Sequence, residues 1–270
     1  KYNIINPLQP RRPQAGGITA WKKGVRIMPE DMIRQLRQMG IEEGDTVLVH
    51  SSMKAIGTKQ TPEEVLDLLQ RALGPSGTLL LPGLTYLNVT PAQPVFDSRT
   101  TVPCIGLLPR TFMGMEGVVR SVHPTHSVFA RGRLAVPLTA DHEKDCTPLG
   151  PHSPFMKLPA CGGKLLFIGE VLNSCTFMHG VEEIAGCDYT LTKDRIRYVV
   201  NGRERFLYGH DFDGWISEYR KLTQFMDEGG LIRGSFGQAP CYVLDAAVLQ
   251  QKAVEVLRSQ PHFFVTRVSA

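Results

Sequence analysis

No stretch of this 270-residue chain approaches the roughly 18 uninterrupted apolar residues of a membrane-spanning helix, which argues for a soluble protein. Charge of one sign is not in large excess either. Thirty Lys and Arg stand against 26 Asp and Glu, a formal net charge of +4, and the basic residues are scattered, with close sets such as Arg11-Arg12 and Arg195-Ile196-Arg197. A nucleic-acid binder would carry a basic stripe, and none is visible. The six cysteines, at 104, 146, 161, 175, 187 and 241, form no Cys-x-x-Cys pair and sit in a chain too long to depend on staples, so reduced thiols are expected rather than disulfides. The start, Lys1-Tyr2-Asn3-Ile4-Ile5-Asn6-Pro7, lacks the apolar block and cleavage site of a signal peptide, and a cytoplasmic location is expected. Neither Gly-x-x-x-x-Gly-Lys-Ser/Thr nor Gly-x-Gly-x-x-Gly occurs, which removes the P-loop and the dinucleotide turn. With no internal repeat or low-complexity linker, residues 1–270 read as one domain.

What is present has α/β order. Pro29 opens an amphipathic stretch, Met32, Ile33, Leu36 and Met39, closed by Gly40. Thr46-Val47-Leu48-Val49-His50 has the length and branching of a buried strand, and the loop Ser51 to Gly57 follows. Thr61-Pro62-Glu63-Glu64 supplies an N-cap, a first-turn proline and a capping-box glutamate for a helix ended by Gly74-Pro75. Thr78 to Pro82 then completes a strand–helix–strand unit, which implies parallel strands. Residues 83–122, rich in Pro, Gly and Thr, read as a long excursion over one face of the sheet. Lys164 to Gly169 is a further strand feeding a helix that starts near Ser174 or Thr176. Asn201-Gly202 between Tyr198-Val199-Val200 and Arg203 to Tyr208 is a type I′ hairpin signal. Helices are expected around 214–226 and 244–258. The fold class is therefore a mixed central sheet, parallel units plus an antiparallel hairpin, flanked by helices.

Three places could carry chemistry. In Cys175-Thr176-Phe177-Met178-His179-Gly180-Val181-Glu182-Glu183, helical spacing puts Glu182 and Glu183 three and four residues after His179. An imidazole oriented by a carboxylate is a competent general base near neutral pH. Cys175, four residues before His179, would be an alternative nucleophile, although a lone cysteine is more commonly a small buried hydrophobe. His123-Pro124-Thr125-His126 brings two histidines together, but Pro124 and the missing His-Glu-x-x-His spacing argue against a metal. The loop Ser51 to Gly57, at the carboxyl end of a parallel strand, offers two hydroxyls and Lys54 to an anion.

Taken in order, His50-Ser51-Ser52-Met53, Gly77 to Pro82, Arg120 to Ser127, Ser153-Pro154-Phe155-Met156-Lys157-Leu158 and Thr176 to Glu183 resemble the aminoglycoside 3-N-acetyltransferase family, from about Pro29 to the C-terminus. The resemblance implies acetyl transfer from acetyl-CoA to an amine of a small molecule, with no metal. It implies His179 as catalytic histidine, Glu182 or Glu183 as its acid, and the His123 segment lining the site. Ser51, Ser52, Met53 and Lys54 become coenzyme contacts, with Ser127, Val128, Ser153 and Lys157 as further candidates. Acceptor-side acids would be Asp97, Glu170, Glu182, Glu183 and Asp188. Aminoglycosides are polycations and this chain is net basic, so amine acetylation is the firmer part of the expectation. The alternatives are another amine as acceptor, a covalent Cys175 acyltransferase, or a silent CoA-binding protein. Homodimerisation is left open.

Overall fold

The computed structural model describes residues 27–57, 59–227 and 230–268. Helix α1 (Pro29–Gln38) starts on its proline, carries Glu30 and Asp31 in the first turn and buries Met32 and Leu36. Strand β1 (Thr46–Ser51) runs into the short helix α2 (Met53–Ile56). In α3 (Pro62–Leu73) the capping box forms as the sequence indicates, with Glu64 N–H donating to Thr61 Oγ1 and Thr61 N–H to Glu64 Oε2. Strand β2 (Thr78–Leu84) is buried throughout. The excursion over 83–122 contains β3 (Val95–Phe96), α4 (Leu107–Met113) and β4 (Val119–Arg120). Next come β5 (His126–Gly132), α5 (Ala135–Thr139), α6 (Pro154–Lys157), β6 (Lys164–Ile168) and α7 (Thr176–Ala185). The chain continues through β7 (Ile196–Val200), β8 (Arg203–Leu207), β9 (Trp215–Ser217) and α8 (Leu222–Phe225). It closes with β10 (Leu231–Phe236), β11 (Ala239–Asp245), α9 (Ala246–Ser259) and β12 (Val265–Arg267).

The central sheet has seven strands in the order β10-β11-β6-β1-β2-β5-β4. β1 pairs in parallel with β2 and β6, whereas β5 and β11 close on the parallel core from opposite directions. Alternation along the strands sorts side chains to two layers. Val47, Val49, Leu79, Leu81, Leu166 and Ile168 pack with residues of α1, α3 and α4, and Leu48, Leu80, Leu165 and Phe167 with those of α7 and α9. Two expectations are corrected. The Asn201-Gly202 hairpin forms, with φ of 48° and 78°, yet it does not enter the central sheet. It joins β3 in a separate three-stranded sheet, because Phe96, Tyr198, Val200 and Leu207 bury one another as a cluster of their own. The expected helix over 214–226 is instead β9, a 3-10 turn over Tyr219–Lys221, and α8, since Trp215 to Ser217 pair with β12.

Candidate active site

The topology gathers histidines on one edge of the sheet. His50 is the penultimate residue of β1, and α7 follows the end of β6. β5 runs against β2, so its first residue, His126, lies opposite Leu84, the last residue of β2. All three therefore lie along the sheet edge formed by the carboxyl ends of β1, β2 and β6, where open α/β sheets bind ligands. His210 arrives from beyond β8, bridged to Leu191. At the same edge Gly169 takes φ of 97°, and a Cβ there would lie 3.0 Å from Ala55 Cβ and 3.3 Å from Ser52 Cβ. A side chain at 169 would push the Ser51 loop away from the end of β6.

His179 is partly open, with 20% of its side chain exposed, whereas the Glu182 side chain is fully buried. Glu182 Oε1 accepts hydrogen bonds from Tyr219 (2.8 Å) and Tyr189 (3.1 Å), and Oε2 lies 3.2 Å from His179 Nδ1. Burial and the neighbouring carboxylate raise both tyrosine hydroxyls above their ordinary range, so they remain protonated donors. Tyr219 Oη, its hydrogen committed to Glu182, also lies 2.8 Å from His179 Nδ1. The groups around Nδ1 are thus acceptors, the proton resides on Nδ1, and Nε2 keeps a free lone pair.

Glu183 belongs to a second chain of bonds. Its Oε1 lies 2.7 Å from His210 Nε2, His210 Nδ1 lies 3.3 Å from His126 Nε2, and His126 Nδ1 lies 2.9 Å from Thr125 Oγ1. Burial pushes the Glu183 carboxyl up to about 7, and burial with the neighbouring imidazoles holds His126 and His210 well below the ordinary histidine range. His210 packs edge-on against His179, with ring centroids 5.2 Å apart. The sequence left open which glutamate partners His179; in the structure it is Glu182.

His123 lies deeper. It is stacked on His142 at 5.0 Å, and its Nδ1 accepts from the backbone N–H of His126 at 3.1 Å. His142 is held between Ser121 Oγ (2.9 Å) and Pro148 O (3.2 Å), and burial pushes it down to about 3. The structure therefore brings His126, through His210, to His179, while His123 sits in a buried layer behind them.

Among the proposed coenzyme contacts, Ser51, Ser52 and Met53 are partly exposed and Lys54 is exposed. No side-chain hydrogen bond engages Ser51, Ser52 or Lys54 among the described residues. Ser127, Val128, Ser153 and Lys157 are instead taken up by the fold. Buried Ser127 donates to Gly83 O and accepts from Arg120 Nε, and Val128 is core. Buried Ser153 caps α6, and Lys157 Nζ is tied to the carbonyls of Pro137, Leu138 and Ala140. Of the five acids singled out in the sequence, Asp97 caps its own loop, Glu170 accepts from Tyr242 and Asp188 pairs with His262. Cys175 is fully buried, and burial pushes its thiol up to about 12, which removes the activated nucleophile. No group of three or more His, Cys, Asp or Glu among the described residues could hold a metal ion. Tyr219 and His210 were not singled out in the sequence, because no local spacing links either to His179.

Fold and site together define an α/β protein that holds a carboxylate-paired histidine at the carboxyl edge of a mixed seven-stranded sheet. The profile of the family described as aminoglycoside 3-N-acetyltransferase matches residues 48–258. The aminoglycoside N(3)-acetyltransferase VIII of Streptomyces fradiae is 30% identical, the alignment covering 85% of this chain and 91% of that protein. The aminoglycoside N(3)-acetyltransferase III of Serratia marcescens is also 30% identical, over 87% and 97%. The crystal structure of aminoglycoside acetyltransferase AAC(3)-Xa superposes with a TM-score of 0.75 at 27% identity, covering 87% of this chain and 93% of that one. AAC-IIIb, solved as a binary complex with CoASH, shares the fold at a TM-score of 0.75 and 24% identity, over 91% of this chain and 100% of that one. The chain belongs to the aminoglycoside 3-N-acetyltransferase family and is an acyltransferase. Among the described residues no helix is long and apolar enough to cross a membrane.

Proposed function

We propose that the protein transfers the acetyl group of acetyl-CoA to an amine of a small molecule, with aminoglycosides as the acceptor class. The observation that carries the reading is the setting of His179, whose Nδ1 is enclosed by Glu182 and Tyr219 while Nε2 stays free. Nε2 takes a proton from the amine as its nitrogen bonds to the thioester carbonyl carbon. The C–S bond then breaks, and the thiolate receives that proton from His179. Both substrates are bound together, so no acyl-enzyme forms. The unengaged hydroxyls of Ser51 and Ser52 and the exposed Lys54 ammonium fit the coenzyme's phosphates, and Met53 lies beside them. The family relatives named for aminoglycoside N(3)-acetylation support the acceptor class.

Release of CoA thiol, followed with a thiol reagent over a panel of aminoglycosides and simpler aryl, sugar and peptide amines, tests the reading. Turnover with an aminoglycoside is the expected result. Turnover only with another amine replaces the acceptor class, and none with any amine rejects the activity. His179→Ala is expected to lower kcat by about 10²–10⁴, the usual worth of a general base.

A further inference from the structure

Acetyl transfer needs a second group besides the base. When the amine adds to the thioester, the carbonyl π pair moves onto oxygen, and that charge requires a donor already in place. His179 is occupied with the amine proton, and the hydroxyls of Tyr189 and Tyr219 are committed to Glu182.

Among the described residues, two imidazoles of the cluster keep a buried ring nitrogen without a partner, His123 Nε2 in the layer behind and His50 Nε2 at the sheet edge itself. His50 stands at the carboxyl end of the central strand β1, on the sheet face that carries Leu48 and Phe167. Its ring lies parallel on Phe167, 5.1 Å between centroids and 6° between planes, so its orientation is fixed by packing. Its Nε2 is buried without a hydrogen-bond partner, and neither ring nitrogen has one among the described residues. Buried polar atoms are ordinarily satisfied, and leaving one unpaired costs about 1–3 kcal/mol, so such an atom beside a site calls for an occupant. The charged groups facing it narrow the occupant's nature. Burial, with a smaller contribution from the nearby His179, pushes His50 down to about 3, so it is neutral at physiological pH, poorly suited to act as a base and still able to donate one N–H. A neutral imidazole on a carbonyl oxygen is an efficient electrophile because it need not give its proton away.

We propose that His50 is a catalytic residue, whose ring N–H donates to the thioester carbonyl oxygen and holds the negative charge that develops there while His179 receives the amine proton. The proton stays on His50 throughout. The electron pair returns to the carbonyl as the C–S bond breaks. The inference rests on the acetyl-transfer reading above, and it adds the electrophilic half of that site.

The test uses acetyl-CoA carrying a ¹³C carbonyl, bound to the full chain and observed by isotope-edited infrared difference spectroscopy. In the wild type the carbonyl stretch is expected to fall on binding. His50→Phe, which keeps the stack on Phe167, should abolish that shift, leave acetyl-CoA affinity nearly unchanged and lower kcat by about 10²–10³. His50→Gln, which retains an N–H, should recover part of both the shift and the rate. A wild-type carbonyl that is unshifted although bound, or a His50→Phe variant that keeps both the shift and the turnover, overturns the donor role and leaves the transfer reading standing. A wild type that binds no acetyl-CoA overturns both.

Discussion

Glu182→Gln separates chemistry from stability in this site. The carboxylate is fully buried, its Oε1 accepting from Tyr219 and Tyr189 and its Oε2 facing His179 Nδ1 at 3.2 Å. A glutamine fits the same volume, but its oxygen must face the two tyrosine donors, so its NH₂ takes the place of Oε2 and points at Nδ1. Nδ1 then becomes an acceptor, the imidazole proton moves to Nε2, and the lone pair that receives the amine proton is lost. A wrong tautomer in an otherwise intact dyad lowers kcat by about 10⁴ in the best-studied case, roughly 5 kcal/mol of barrier. We expect a loss of about 10³–10⁴, with KM for acetyl-CoA little changed because no coenzyme contact is touched. Stability should move the other way, since both tyrosine bonds survive and a buried charge disappears, so Tm is expected at or above the wild-type value. The assay pairs initial rates of thiol release at saturating acetyl-CoA with thermal melts followed by circular dichroism. Turnover within about tenfold of wild type, or a rate loss matched by a collapse in Tm, would refute the tautomer argument.

Tyr219→Phe removes one donor to Glu182 and one acceptor for His179 Nδ1; it should cost about 1–3 kcal/mol in denaturant unfolding and lower kcat while leaving KM unmoved, and a change confined to KM would contradict it. The buried imidazoles predict acid lability. His50 and His142 are pushed down to about 3 from 6.5, so the stability they contribute is present above 6.5 and is lost as pH falls toward 3. At pH 5 each contributes a loss of about 2 kcal/mol, because the unfolded imidazole is then mostly protonated and the folded one is not. His123, His126 and His210 act in the same direction. Glu183, raised to about 7 from 4.5, opposes them, since its contribution is present below 4.5 and is lost as pH rises through 7. The sum is a lower Tm at pH 5 than at pH 7.5, and equal values at the two pHs would contradict the burial argument. Cys175→Ala should keep kcat within a few-fold of wild type, and a loss of about 10² or more would restore the thiol to the mechanism.

The parts legible in the sequence are those whose cause is local. Proline at the first turn of α1, the Thr61–Glu64 capping box and the Asn201-Gly202 turn each act within a few residues, and each appears where the pattern puts it. That a carboxylate would share a helix face with His179 was legible for the same reason, although the spacing left Glu182 and Glu183 both open and only the structure selects Glu182. What the sequence hid is which distant segments meet. The hairpin reads as a strand pair from its own residues, yet the sheet it joins is decided by Phe96 and Val95, about a hundred positions upstream. Tyr219 could not be foreseen beside His179, because the region expected to be helical is drawn into pairing with β12, and that pairing sets the turn from which Tyr219 reaches Glu182.

His50 opens the motif His50-Ser51-Ser52-Met53, yet nothing near it in the chain points to a role. Along the chain it is the last buried residue of an apolar strand, and a histidine there reads as packing. Its chemistry is defined by an absence, a buried ring nitrogen with nothing to bond, and that absence exists only once β1, β6 and α7 are assembled. The carboxyl edge of a parallel sheet makes such places readily, because each strand stops at its own residue while its neighbours continue into different loops, so a side chain there can be enclosed by packing without the fold supplying a partner for its polar atoms. Glu182 is satisfied by the fold alone, whereas His50 is not, and the difference marks which of the two is positioned for His179 and which awaits the thioester carbonyl.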